Sequence, residues 1–200
     1  MRIKILLSLF TSMFLLFNFN AQTNPLNIQQ FAHIPNSGFM VPSELNDIWG
    51  WVDSSGNEYA IVGMNDGTSI IDLSDPLSPQ EVLFVPGMSS IWRDIKTYGH
   101  YAYVTTDNPS TNGLLIIDLS NLPDSANTNI YYYNGPSNFQ WGRAHNIFID
   151  DRGYAYIFGA DRGSGGAIIL DLNQDPTQPV EIADINNWQV HDGMVKGDTL

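Results

Sequence analysis

Residues 143–151 read RAHNIFIDD, and residues 190–198 read VHDGMVKGD. The first stretch brings together Arg143, His145, Asn146, Asp150 and Asp151, and the second adds His191 and Asp192. Neutral imidazole beside carboxylate suits zinc or another transition metal, whereas carboxylates with carbonyls suit calcium. An imidazole held near a carboxylate can also move a proton. Whether either stretch is a site of its own depends on the elements that carry it.

Those elements repeat. EYAIVGMNDGTSIIDLSDPLSPQEVLFVPG from Glu58, HYAYVTTDNPSTNGLLIIDLSNLPD from His100 and GYAYIFGADRGSGGAIILDLNQDPTQPVEIADI from Gly153 align with one another. Tyr59, Tyr101 and Tyr154 are 42 and 53 residues apart, and Asp72, Asp118 and Asp171 are 46 and 53 apart. Each unit holds four short strand candidates. The second begins Tyr-Ala; the third (SIIDL, LLIIDL, AIILDL) is apolar on both faces, as a strand covered on both sides must be. Asp-Pro-Leu-Ser-Pro at 75–79 and Asp-Pro-Thr-Gln-Pro at 175–179 form the next turn, and EVLFVP, IYYYN and VEIADI are the fourth strands. No stretch after the N-terminal segment shows capped helical periodicity.

A four-stranded unit repeating at this length predicts an all-β chain folded as a β-propeller, with blades over about 46–88, 93–135 and 145–186 and the start of a fourth over 191–200. The competing β-sandwich would have irregular strands without a repeated turn signature. Residues 26–36 resemble a fourth strand with no first three before it, the outer strand expected of a ring closed by its two chain ends. Residues 22–200 thus read as an incomplete ring, the N-terminal part of a longer protein.

Arg2 and Lys4, an apolar run from Ile5 to Phe17 and the small-residue context at Ala21 make residues 1–21 a signal peptide, too short for a confident membrane span, and predict an extracellular or cell-surface protein. The full chain carries a net charge of −13; removing that segment leaves six cations against 21 acids, a net charge of −15. Such a chain is repelled by nucleic acid and anionic membrane, leaving cations, glycans and proteins as partners. With no cysteine, the fold rests on its core rather than on disulfides.

NDIWGWVDSSGNEYAIVGMNDGTSIIDLSDPLSP, SSIWRDIKTYGHYAYVTTD and GLLIIDLS resemble the choice-of-anchor B family of bacterial surface proteins, related to proteins with LVIVD repeats, from about residue 26 to the end. The resemblance implies a propeller-like extracellular domain whose anchoring or sorting signal follows at the C-terminus, here beyond Leu200. It implies no established chemistry.

Aligned on their first strands, the repeats place Asn46-Asp47, Arg93-Asp94, His145-Asn146 and His191-Asp192 at equivalent positions, the second members 47, 52 and 46 residues apart. First strands line the channel of a propeller, so these side chains form a ring. The ring is a candidate ligand or metal site, with His145, His191, Asp94 and Asp192 as candidate ligands for calcium or zinc. Alternatively, each Asp or Asn accepts backbone N–H bonds and fixes the blade start. Arg143 either holds an anionic group or pairs with an acid of this acidic chain.

Trp49, Trp51, Trp92, Trp141 and Trp188 lie close to the blade starts, where they either grip a glycan or protein or pack between blades, and Trp49 and Trp92 join the candidate binding face. GADRGSGGA at 159–167 lacks the Lys-Ser/Thr ending and the following helix of a phosphate loop, and reads as a hairpin loop. No nucleophile elbow or His-Glu-x-x-His motif occurs. Two functions follow: a surface binding module for a protein or glycan, without catalysis, or a metal-assisted hydrolase or lyase using His145, His191 and Arg93 or Arg143.

Overall fold

The alternation in the second strand of each repeat dictates how the sheets stack. In Tyr59-Ala60-Ile61-Val62, Tyr59 and Ile61 point to one face of the sheet and Ala60 and Val62 to the other. A large residue on one face and a small one on the opposite face let identical sheets nest, aromatic against alanine. The computed structural model describes residues 28–108, 112–197 and 199–200. The expected signal peptide lies outside them. No helix among the described residues is long and apolar enough to cross a membrane.

The unit Phe31–Leu200 contains three four-stranded antiparallel sheets, each in chain order. The first has β1 (Leu45–Val52), β2 (Glu58–Met64), β3 (Gly67–Asp72) and β4 (Gln80–Pro86). The second has β5 (Arg93–Tyr98), β6 (Tyr101–Thr106), β7 (Leu114–Asp118) and β8 (Ile130–Tyr133). The third has β9 (Asn146–Ile149), β10 (Tyr154–Phe158), β11 (Ala167–Asp171) and β12 (Val180–Ile185). First strands lie side by side, β1 against β5 and β5 against β9. These are blades of a β-propeller.

Two interleaved cores join them. Tyr59, Ile61, Ile70 and Val85 of blade 1 meet Ile95, Ala102, Val104, Leu115 and Ile117 of blade 2. Tyr103, Leu114, Ile116 and Tyr133 of blade 2 meet Ala144, Ile147, Ala155, Ile157 and Ile168 of blade 3, with Trp141 buried among them. Burying each of the larger side chains contributes about 2 kcal/mol. Tyr103 is fully buried, its hydroxyl donates to Pro176 O at 3.1 Å, and burial pushes its pKa up. In β7, Leu114 and Ile116 face blade 3 while Leu115 and Ile117 face blade 1, as a strand apolar on both faces requires.

Carboxylates bind the inner strands to one another. The Ile95 N–H of β5 donates to Asp47 Oδ2 at 2.9 Å, and the Ile147 N–H of β9 donates to Asp94 Oδ2 at 2.8 Å. Each acid reaches from one blade to a backbone donor at the same register of the next. Two tryptophans add to the first junction: Trp49 Nε1 donates to Thr97 Oγ1 at 3.1 Å and Trp51 Nε1 to Gly99 O at 2.9 Å.

Other acids build turns. Asp72, Asp118 and Asp171 each accept the N–H two residues on, at 2.8, 3.0 and 2.9 Å, and Asp75 and Asp175 do the same in the proline turns. Asp150 accepts from Arg152 N and Tyr154 N in the β9–β10 turn, where Gly153 supplies a φ of 81°. Two of the three outer strands, β4 and β12, carry a bulge at one equivalent place, between Ile70/Ile71 and between Ile169/Leu170 of the partner strands. Such bulges discourage edge-to-edge pairing.

The N-terminal closing strand expected over 26–36 is not among these sheets: no ladder reaches residues 28–35. Ile34 and Phe39 instead cover Val62, Met64 and Ile71 on the face of blade 1 turned away from blade 2. That face is apolar and draws apolar side chains whether or not the backbone pairs. Among the described residues after Ile185 the one bridge is Lys196–Thr199, and Val190 and Val195 pack on Tyr156 and Phe158.

Two predictions follow from these carboxylates. Asp94→Ala strands the Ile147 N–H and the Lys96 ammonium and should cost about 2–3 kcal/mol in urea unfolding. Burial, helped by the Asp94 charge, raises the Asp47 pKa, so Asp47→Asn, which keeps an acceptor, should leave stability unchanged or higher. Asp150 differs: burial opposes its ionisation, but the Tyr154 N–H and Arg152 outweigh that and lower its pKa. Its stabilisation is therefore complete above the unfolded value of about 3.9 and lost as pH falls through the lower folded value. Asp150→Asn should flatten the acid limb of a melting-temperature profile taken from about pH 5 to about pH 2.

Candidate functional site: a carboxylate-held histidine at the blade starts

Four segments converge where blades 2 and 3 begin. Trp92 precedes β5, Asp107 follows β6, Arg143 and His145 precede β9, and His191 and Asp192 lie after β12. Backbone bonds hold them in place: Asp107 N donates to Trp92 O at 3.2 Å, Ala144 N to Thr106 O at 3.0 Å, and His145 N to Phe158 O at 2.9 Å. Asp161 Oδ1 accepts from Gly142 N and Arg143 N at 2.8 and 3.3 Å. Gly159, at φ 65°, lets the chain pass His145, since a Cβ there would sit 2.9 Å from that of His145.

Asp107 is the hub. Its Oδ1 takes Arg143 Nη1 at 2.8 Å and its Oδ2 lies 3.2 Å from His145 Nδ1. A carboxylate only accepts, so Nδ1 carries the proton, and in the neutral tautomer that this bond selects Nε2 is the acceptor. The His145 ring lies 4.1 Å from that of His191 and 5.9 Å, edge-on, from that of Trp92. His145 is largely buried, whereas Trp92 is 55% and the His191 side chain 78% exposed. The cluster thus presents an apolar ring, an acceptor and a half-exposed guanidinium on one surface.

The remaining residues of the expected ring have other partners. Asp94 is buried, with Oδ1 on Lys96 Nζ at 2.6 Å and Oδ2 on the backbone of blade 3. Arg93 is buried too, its Nε donating to Met64 O at 2.7 Å. Trp49 carries Lys96 Nζ over its ring at 4.5 Å. Asp47 serves the junction with blade 2, and Asn146 is half-buried at the start of β9. Asp192 is exposed, 3.6 Å from His191 Nδ1. The structure brings together Trp92, Arg143, His145 and His191, and sets Asp47, Trp49, Arg93 and Asp94 into the blade junctions. Of the candidate metal ligands, the two histidines are neighbours but Asp94 is spent elsewhere. Among the described residues, no group of three or more His, Asp or Glu side chains could hold a metal ion.

Asp107 is the residue that sequence reasoning missed. It sits in the hairpin loop between the second and third strands, in line with Asp66 and Asp161. Asp66 Oδ2 takes the Ser43 hydroxyl at 3.0 Å and Asp161 takes backbone N–H groups, each at the start of its own blade. Asp107 alone of the three reaches the next blade. A loop acid in every repeat was a visible signal; its direction was not.

The three sheets define a β-propeller module. Residues 52–85 and 91–127 each match the LVIVD repeat, so blades 1 and 2 carry that repeat. No curated protein and no solved structure shows a significant match to the chain.

The tautomer of His145 is directly measurable. Nitrogen-15 NMR should show His145 protonated at Nδ1 in the parent chain, and Asp107→Ala should shift it toward the Nε2–H form that a free histidine side chain prefers.

Proposed function

We propose that this chain is the propeller of an exported bacterial surface protein of the choice-of-anchor B group, and that it acts as a recognition module for an extracellular glycan or protein. The observation that carries this reading is the surface around His145. Trp92 offers an exposed ring for stacking, Asp107 orients His145 as an acceptor, and Arg143 offers donors beside it. These groups come from separate elements held by backbone bonds, which suits selective binding. The acidity of the chain is concordant with partners other than nucleic acid or anionic membrane.

The Asp107–His145 pair also favours a second reading, a hydrolase or lyase in which Nε2 of His145 takes a proton. Metal assistance in that reading would need ligands besides His145 and His191.

A panel of immobilised glycans and surface-protein fractions, probed with the purified chain, tests the first reading. Trp92→Ala, folded by its melting curve, should lose at least about tenfold in affinity for whatever the parent binds. Binding that survives both Trp92→Ala and His145→Ala would place recognition elsewhere. Turnover that depends on His145 would favour the enzyme.

A further inference from the structure

Two arginines are buried to the same degree, Arg93 and Arg162, each 6% exposed. Arg162 is matched by acids: Nη1 and Nη2 grip Glu181 at 3.0 and 2.6 Å, and Asp184 lies 3.2 Å from Nη2. Arg93 has only carbonyls. Its Nε donates to Met64 O, and its Nη2 to Asn65 O at 3.3 Å and to Met88 O. Among the described residues no carboxylate comes within 4.0 Å of Arg93 and Nη1 has no protein acceptor. Asp66 is near enough to be felt, but its Oδ2 takes the Ser43 hydroxyl.

A buried cation without a counter-charge is costly, and carbonyl dipoles offset only part of that cost. Beside Arg93 lies a cavity of about 30 Å³, walled by Gly87, Thr106, Gly113 and Tyr132. Gly87 leaves the guanidinium open on that side, since a Cβ there would stand 2.9 Å from Nη2 and 3.1 Å from Nη1. Thr106 Oγ1 accepts from Asn108 N at 3.4 Å, which leaves its hydroxyl hydrogen free to donate. A space of about 30 Å³ matches one water molecule or one monatomic anion. Water would fill it without offsetting the charge.

We infer that this cavity is a halide site, in which chloride completes the charge balance of Arg93 at the junction of blades 1 and 2. Chloride acts there as a structural counter-ion, independent of the recognition surface at His145. The test uses the whole chain. Its melting temperature should rise saturably with sodium chloride or bromide, relative to sodium gluconate at the same ionic strength. Crystals grown in bromide should give an anomalous peak beside Arg93 Nη1. Arg93→Gln, which keeps amide donors and removes the charge, should abolish the halide-dependent part of the rise. Should that variant fail to fold, the bromide position in the parent chain still decides. Equal melting in chloride and gluconate, or bromide found only at the surface as an adventitious ion, would overturn the site.

Discussion

The arrangement depends on one bond made twice: a carboxylate at the start of one blade accepts a backbone N–H from the first strand of the next. A first strand pairs with the second strand on one side only, so its other edge carries N–H groups that no ladder satisfies. Asp47 takes one such donor at Ile95 and Asp94 takes another at Ile147. These bonds set the spacing of inner strands that are not themselves paired. His145 lies two residues before Ile147, so the bond that joins blades 2 and 3 also places the imidazole within reach of Asp107 and Trp92.

Around that bond the nesting of large against small residues supplies the bulk of the stability. The Tyr-Ala alternation works because each sheet presents its aromatics to the following blade and its alanine to the preceding one. The acidity of the chain finds its explanation in the same frame. Most of the acids that make hydrogen bonds accept from backbone N–H groups in turns or at blade starts. Carboxylate is a stronger acceptor than amide for such donors. The net charge therefore reflects how the turns are built, and a cationic partner is not needed to account for it.

Fold and site were legible to different degrees for a physical reason. The strands and their order within each sheet follow from local signals: period-two alternation, proline turns and a repeat near 50 residues. The ring of polar residues was legible as a column, because equivalent registers meet in a propeller. What each residue in the column does depends on side-chain reach across blades, which sequence spacing does not encode. Arg93 and His145 hold the same register, yet one is bound to the carbonyls of Met64, Asn65 and Met88 and the other to the carboxylate of Asp107 beside the exposed His191. The expected closing strand is a separate case: the blade it would complete is not among the three sheets, and Ile34 of that segment packs on the face of blade 1.

The two members of that column divide structure from function. At the second position the three blades carry Asp47, Asp94 and Asn146, all short side chains with an acceptor oxygen, and the first two make the same bond to the next blade. At the first position they carry Asn46, Arg93 and His145, which share neither charge nor shape. A position that must satisfy a backbone donor has one chemical solution; its neighbour, released from that task, can differ from blade to blade. In this chain the released position supplies a hydrogen bond to Ser90 O in blade 1, a buried cation in blade 2 and an imidazole held by Asp107 beside His191 in blade 3. Chemistry specific to this propeller is therefore to be sought at the first position and in the loops that reach it, as Asp107 does, because the second position is already occupied in holding the blades together.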